Sequence, residues 1–523
     1  MNFLKRLWKY RIIRIFVWLT GSLVTVYVLA CAWINYAGGR KWQAAQELMK
    51  REGEKLEFRA LMPDPVPEEK NFCATPALKG IAAVVDHDEA KGDPGAKRKR
   101  LKDTALPSGK ESKPKQAAGA ALGKPTDLKA WADWMRKEGS LAVPPDSGNP
   151  AKDVLAGLSK HEVVFAELAE GLDRPEARWT PEWKSRDLPE NLFVTMVPQY
   201  GAAQAVGTSL SLRSIAEGRG GDFTKAHKDI LVELRLARAS LEDPFLIGVL
   251  VGYIQQANVA GDVWELCEAH AGSAEDFRKL QQELSRFDAR AAVLHAFRGE
   301  MASSAETLLW MNRVAGSQFL EAITVISPMG EPNRPNWFAR ALWSVVPRGW
   351  MDMNVATIVD LEFNHVIKPL RDKGLRAALE EGAATETELK NRRTSRQLDS
   401  ILACLMLPAT TPVISRAAYT AALNNQAIIA CALERWYLEH KSYPDSLEEL
   451  KREGESPLPG DPMSGGPMHY RRTADGHYAL WSVGFDGKDD GGKRMLDPKK
   501  LDSTRFSDPK YKGDWVWSFQ PGE

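Results

Sequence analysis

The chain has 523 residues, a formal net charge of +1, and a composition that is 44% hydrophobic and 27% charged. The length exceeds one ordinary core, so two or more packed units are expected. The composition excludes wholesale disorder, and the near-neutral charge excludes a global pull toward nucleic acid or acidic lipid.

The strongest signal comes first. Residues 15–34, IFVWLTGSLVTVYVLACAWI, carry no charge, and at ~1.5 Å rise per residue they match a ~30 Å hydrocarbon core. Lys5, Arg6, Lys9, Arg11 and Arg14 precede them with no acid among them. The excess of basic residues predicts a cytoplasmic N-terminus (1–14), a transmembrane anchor (15–36) and a body on the exoplasmic side. Trp33 and Tyr36 stand where an aromatic belt would lie. Two rival readings stay open. A cleaved signal peptide would have a shorter apolar run and a small-x-small site. Val28-Leu29-Ala30-Cys31 approaches a lipoprotein processing site, although leucine before the alanine fits it poorly.

Residues 37–90 read as a charged helix leaving the bilayer, with Trp42, Ala45, Leu48 and Met49 at helical spacing, followed by an ordered piece. Pro63, Pro65 and Pro67 mark the helix end. Residues 91–125 hold few large apolar side chains and much Lys, Gly, Ala and Pro, which predicts a basic flexible linker. Its KRKR run reads as solvated, so no nucleic-acid partner is expected.

Residues 126–410 are helical in pattern, punctuated by glycine and proline. Leu155, Leu158, Phe165, Leu168 and Leu172 form one apolar stripe. A helix up to a Gly218-Arg219-Gly220-Gly221 break is followed by an amphipathic helix over 223–241 and a third after Pro244. Ser273 with Asp276 predicts a capping box for a fourth. Helices paired through glycine turns resemble tetratricopeptide-type hairpins, without a strict 34-residue period; an irregular helical-hairpin array is expected.

From Ser415 a long helix runs to about His440 and Tyr443-Pro444-Asp445 follows. Residues 468–472 and 478–483 alternate around Ala474-Asp475-Gly476, a hairpin pattern. The order Ala432, Leu433, Trp436, Tyr437, Tyr443, Pro444, then Asp461, Pro462, Gly465, Pro467, Tyr470, then Ser482, Gly484, Asp486, Gly487 resembles the globular part of the type II secretion major pseudopilin. The resemblance implies a small α+β domain over 411–523 and a calcium-binding last loop, with Asp486, Asp489 and Asp490 as ligands. Calcium takes six to eight oxygens, and glycines let carbonyls fold inward beside carboxylates. Read from the residues alone, Gly and Asp also make an ordinary surface turn, because both tolerate positive φ. The pseudopilin processing site, Gly-Phe-Thr-Leu-x-Glu, is absent, so the domain reads as borrowed rather than as a pilin subunit. Asn71, Phe72, Ala74, Thr75 and Pro76 make an Asn-Phe-x-Ala-Thr-Pro segment. It is similar to that of single-pass bacterial envelope proteins of unassigned activity.

Catalytic patterns are sparse. His161-Glu162-Val163-Val164-Phe165 lacks the second histidine of a zinc protease helix, and His161 and Glu162 read as the polar side of an amphipathic helix. No nucleophile elbow, Walker loop or dinucleotide fingerprint occurs. Asn354, Glu362 and His365 share one helix and read as a buried polar network. Cys31, Cys73, Cys267, Cys404 and Cys431 form no CxxC pair, which leaves a disulfide open and argues against a zinc ribbon. The expectation is a mainly α protein: a membrane-inserted anchor, a helical array, and a pseudopilin-like α+β tail. Its expected function is as an envelope scaffold that binds a protein partner. An envelope hydrolase and a secretion-system component are the alternatives.

Overall fold

The computed structural model describes residues 11–79, 81, 99–106, 113–114, 123–139, 141–179, 198–313, 345–394, 398–407, 409–451, 457–494, 507–508 and 510–519. Helix α1 (Arg11–Glu52) runs unbroken for 42 residues. Its first half is long and apolar enough to cross a membrane, with Phe16, Trp18, Leu23, Val26 and Leu29 all exposed. Past Gly38 the same helix turns amphipathic: Ala45 and Met49 enter the main core, with Trp42 and Leu48 packed against it. Gly53 at φ +74 ends the helix. A left-handed residue just past the helix stops it, ten residues before the prolines that the sequence marks as the stop.

The Asn-Phe-x-Ala-Thr-Pro segment is a seam. Asn71 Oδ1 accepts from the Arg178 amide at 3.0 Å while its amide group donates to the Arg178 carbonyl at 3.0 Å. The Phe72 amide donates to the Glu176 carbonyl at 2.7 Å, adding a backbone link to the same strip. Asparagine is used here because its side chain copies a peptide group.

Helices α2 (Leu128–Glu138), α3 (Pro150–Leu158) and α4 (Glu162–Ala169) come next. Asp127 and Asn149 cap the first two through their side chains, as short polar caps do. The expected single stripe is divided. A 3-10 turn at Ser159–His161 separates α3 from α4, and Leu158 joins a different apolar cluster from Phe165 and Leu168. His161 is also not on a polar face: it is buried, edge-on to Phe165 at 6.2 Å. Glu162 instead meets Arg213 at 3.2 Å. Within the stretch expected to be a flexible linker, Leu101 and Leu106 are buried and Arg100 pairs with Glu167 at 2.7 Å. That piece is held against the body.

Helices α5 (Pro198–Gly220), α6 (Phe223–Leu241) and α7 (Leu246–Glu268) pack side by side. The break between α5 and α6 is narrower than the four-residue Gly218–Gly221 motif, because Gly221 alone takes a positive φ, +87, and Asp222 caps α6. Helix α8 (Ala274–Leu284) starts with the predicted Ser273–Asp276 capping box. Helices α9 (Ala289–Arg313) and α10 (Arg348–Glu362) follow, and α10 lies along α1. A π turn (Phe363–Ile367) leads into α11 (Lys368–Asp372), α12 (Leu375–Thr394) and α13 (Ile401–Met406).

The last helix, α14 (Thr410–His440), is the axis of the molecule. It packs on α7, α8, α9 and α12, and carries the three-stranded antiparallel sheet β1 (His469–Arg472), β2 (Tyr478–Ser482), β3 (Trp515–Ser518). The predicted hairpin is present, with Arg472 opposite Tyr478 and Gly476 at φ +88. One apolar cluster runs from Met49 in α1 through Trp264 and Ile429 to Trp515 and Trp517 in β3. Buried Gln426 donates to the Trp515 carbonyl at 2.6 Å, and the Trp264 indole donates to the Ser518 carbonyl at 3.1 Å. The sheet is thus tied to two helices of the body.

Candidate functional site

Three constellations stand out, and the sequence points to only the first. In the C-terminal loop, Gly484, Gly487, Gly491 and Gly492 all take positive φ, from +63 to +76. Asp461, in the turn before β1, accepts from the Ser482 hydroxyl at 2.6 Å and the Val483 amide at 3.2 Å. The Asp-Pro turn and the Ser-x-Gly loop, distant in sequence, are therefore one knot.

The predicted ligands do not converge. Asp486 accepts from the Lys488 amide at 3.1 Å. Asp489 accepts from the Trp481 indole and the Gly491 amide, both at 2.9 Å, and faces His469 at 3.3 Å. The Asp490 amide donates to Asp514 at 3.1 Å, and the Gly492 amide donates to the same oxygen at 2.8 Å. Asp514 is the residue that the sequence reading missed. Burial, with the neighbouring Asp489 and Asp490 charges, pushes its carboxyl up to about 6. Its second oxygen is buried without a partner among the described residues. That oxygen is the donor a cation would take up. The fit is partial, because Asp486 and one Asp489 oxygen are engaged in turns. Among the described residues no three His, Cys, Asp or Glu side chains form a metal-holding group.

The second constellation is a cleft of about 650 Å³ between α6, α8 and α9. Leu234, Leu241, Phe287 and Ala292 give it apolar walls; Glu176, Arg238, Glu242, Glu283 and Arg286 give it a charged rim. The rim carboxylates are already paired. Arg238 reaches Glu176 at 3.2 Å and Glu242 at 3.1 Å, while Arg235 and Arg286 hold Glu283 at 3.1 and 3.3 Å. Burial and the nearby Arg298 charge hold the His295 imidazole below its ordinary value, hence neutral at pH 7. No serine, threonine or cysteine lines the cleft among the described residues.

The third is a buried carboxylate, Glu434 on α14. It accepts from the Tyr443 hydroxyl and lies 3.0 Å from His270 Nδ1. His270 is part-exposed, adopts φ +49 and stacks on Tyr437 at 4.1 Å. Deeper still, Glu233 and Asp262 face each other between α6 and α7, within hydrogen-bonding reach. Both Glu233 oxygens and one Asp262 oxygen lack any other partner among the described residues. Burial raises both carboxyls, Asp262 to about 7, and the Asp262 charge raises Glu233 further. The expected Asn354–Glu362–His365 network separates instead. Asn354 accepts from the Leu402 amide at 2.9 Å, Glu362 is buried near Glu300 with neither oxygen hydrogen-bonded among the described residues, and His365 faces Glu388 at 3.8 Å.

No family model, curated protein or solved structure matches this chain.

Proposed function

We propose that this is a single-pass inner-membrane protein of the bacterial envelope whose exoplasmic body is a scaffold for a protein partner. The observation that carries the reading is the continuity of α1. Its first half exposes apolar side chains, while Ala45 and Met49 on the same helix lie in the core of the body. Glu54, just past its end, is buried between Arg298 at 2.7 Å and Arg371 at 3.2 Å. The Tyr27 hydroxyl, within the apolar run, also donates to the Val345 carbonyl of the body, which favours an anchor over a leader to be removed. The basic residues ahead of it favour an exoplasmic body.

The cleft supports the binding role. Apolar walls with a rim of alternating charge suit an amphipathic segment of another protein. The C-terminal loop would be stiffened by calcium taken up between the unpartnered Asp514 oxygen and the Asp490 carboxylate, with loop carbonyls completing its shell. The test is co-purification from solubilised membranes, with and without a calcium chelator, comparing wild type with Ala291→Trp, which fills the cleft from an exposed position. A defined envelope protein retained by wild type and lost by the variant is the expected result. Equal capture by both contradicts the cleft as the docking site, and a secretion protein as the partner favours the secretion-system reading.

The His270–Glu434–Tyr443 group favours a second reading, a hydrolase, because a carboxylate that orients a part-exposed histidine is the arrangement of a general base. Hydrolysis of ester, peptide or glycan substrates by wild type, abolished in His270→Ala, would establish it.

A further inference from the structure

The backbone just before α10 reaches down the anchor helix, and that depth has a physical consequence. We propose that residues 345–350 are embedded in the outer leaflet of the bilayer, so that the body is seated in lipid rather than held above it. The inference rests on the reading that residues 15–36 of α1 span the membrane.

Two hydrogen bonds set the level. The Gly349 amide donates to Asn35 Oδ1 at 2.8 Å, and the Tyr27 hydroxyl donates to the Val345 carbonyl. If the uncharged run 15–34 fills a ~30 Å hydrocarbon core, its outer edge lies near Ile34. Tyr27 is seven residues deeper, which is ~10 Å below that edge. Helical side chains lean toward the N-terminus, here the cytoplasmic end, so the tyrosine oxygen lies deeper than its Cα. Between Gly349 and Val345 the chain descends from the interface to the level of the acyl chains. Arg348 and Gly349 belong to the first turn of α10, and the non-helical residues 345–347 ahead of them carry the descent to Tyr27.

The chemistry of the segment agrees with this depth. It reads Val345-Val346-Pro347-Arg348-Gly349-Trp350, with Val345 50% exposed and Val346 and Pro347 part-exposed. Non-helical backbone survives at membrane depth only where its polar groups find protein partners. Tyr27 supplies one for the Val345 carbonyl, and Pro347 has no amide to satisfy. Trp33 and Tyr36 are exposed on either side of Asn35, where an aromatic belt would lie, while Trp350 packs against the main core. Exposed Arg348 is within reach of lipid phosphates. Higher on α1, Lys41 pairs with Asp399 at 2.9 Å, a part-exposed ion pair of the kind that belongs on the aqueous side.

The test uses the full chain with Cys31→Ser and Cys404→Ser, which removes the two cysteines that are not buried. Single nitroxides are placed at Val345→Cys, at Val24→Cys in the span, and at exposed Val163→Cys on α4. The protein is reconstituted in phosphatidylcholine–phosphatidylglycerol vesicles, and collisions with oxygen and with a water-soluble nickel chelate are measured. Oxygen is expected to dominate at Val24 and Val345, and nickel at Val163, with the ratio differing several-fold between the two groups. Nickel access at Val345 with oxygen dominance at Val24 overturns the seating and leaves the anchor intact. Nickel access at Val24 overturns the anchor itself. Exclusion of both reagents from Val345 means that protein, such as a second copy of this chain, covers it, and overturns the lipid contact.

Discussion

Gly38 of α1 and Gly349 of α10 cross so closely that a Cβ on either would overlap the other helix's backbone. Glycine is required at such a crossing because any side chain must push the helices apart. Gly38→Ala and Gly349→Ala are each expected to lower stability by about 1–3 kcal/mol. Gly21→Ala serves as the control, since nothing lies within 4 Å of its added Cβ. Urea unfolding in detergent micelles reads the difference, and equal stability of all three variants would contradict the crossing.

Glu54 is the second fastening. Its carboxylate is 3% exposed and meets Arg298 and Arg371, which are 27% and 25% exposed. Breaking a buried pair from one side costs about 3–5 kcal/mol, and the part-exposed arginines bring this to about 2 kcal/mol. Glu54→Gln should therefore unfold at lower denaturant and free residues 38–52 for proteolysis at the end of α1. Unchanged protease resistance would show that this ion pair is not what holds the helix.

Much of this frame is legible in the sequence, because it follows from local pattern. The uncharged run of 15–34, the Ser273–Asp276 box and the strands around Gly476 all appear where spacing predicts them. The rest depends on partners far along the chain. Strand β3 follows a long gap, and its Trp515-Val516-Trp517 alternation has meaning only once Gln426 and Trp264 bond to its carbonyls. His161 reads as polar until Phe165 and the 3-10 turn bury it. The cleft and Glu434 have no local signature, since each is assembled from separate helices. Asp514 stands outside the glycine-rich loop whose amides it accepts.

Stability should fall as pH rises. Burial pushes Asp243 and Asp262 up to about 7, and raises Glu233 and Asp229 as well. At these four groups the folded state binds more protons than the unfolded chain, so they make the slope of unfolding free energy against pH negative from the ordinary aspartate range up to about 7, outweighing the opposite slope of His161, His227 and His295, which burial lowers. For Asp243 alone the change corresponds to roughly 4 kcal/mol at a pH above both values. Thermal unfolding from pH 5 to 8 should show a falling Tm, and Asp262→Asn should flatten the fall. A Tm that rises over this interval would contradict the buried, proton-holding carboxyls.

In the C-terminal loop, chelator should lower the temperature at which the Trp481, Trp515 and Trp517 environment melts, by several degrees. Asp490→Asn should lower it similarly and abolish the response to chelator. Indifference of the wild type to chelator removes calcium from the account and leaves the loop held by Asp461 and Asp514 alone.

The arrangement of the whole protein turns on which side of the membrane its mass occupies. Alkaline phosphatase and green fluorescent protein, each fused after Glu523 and expressed in a bacterial host, measure this directly. An active phosphatase with a dark fluorescent fusion is the predicted result. A bright fluorescent fusion with an inactive phosphatase would put the cleft and the acidic loop in the cytoplasm and contradict the envelope scaffold.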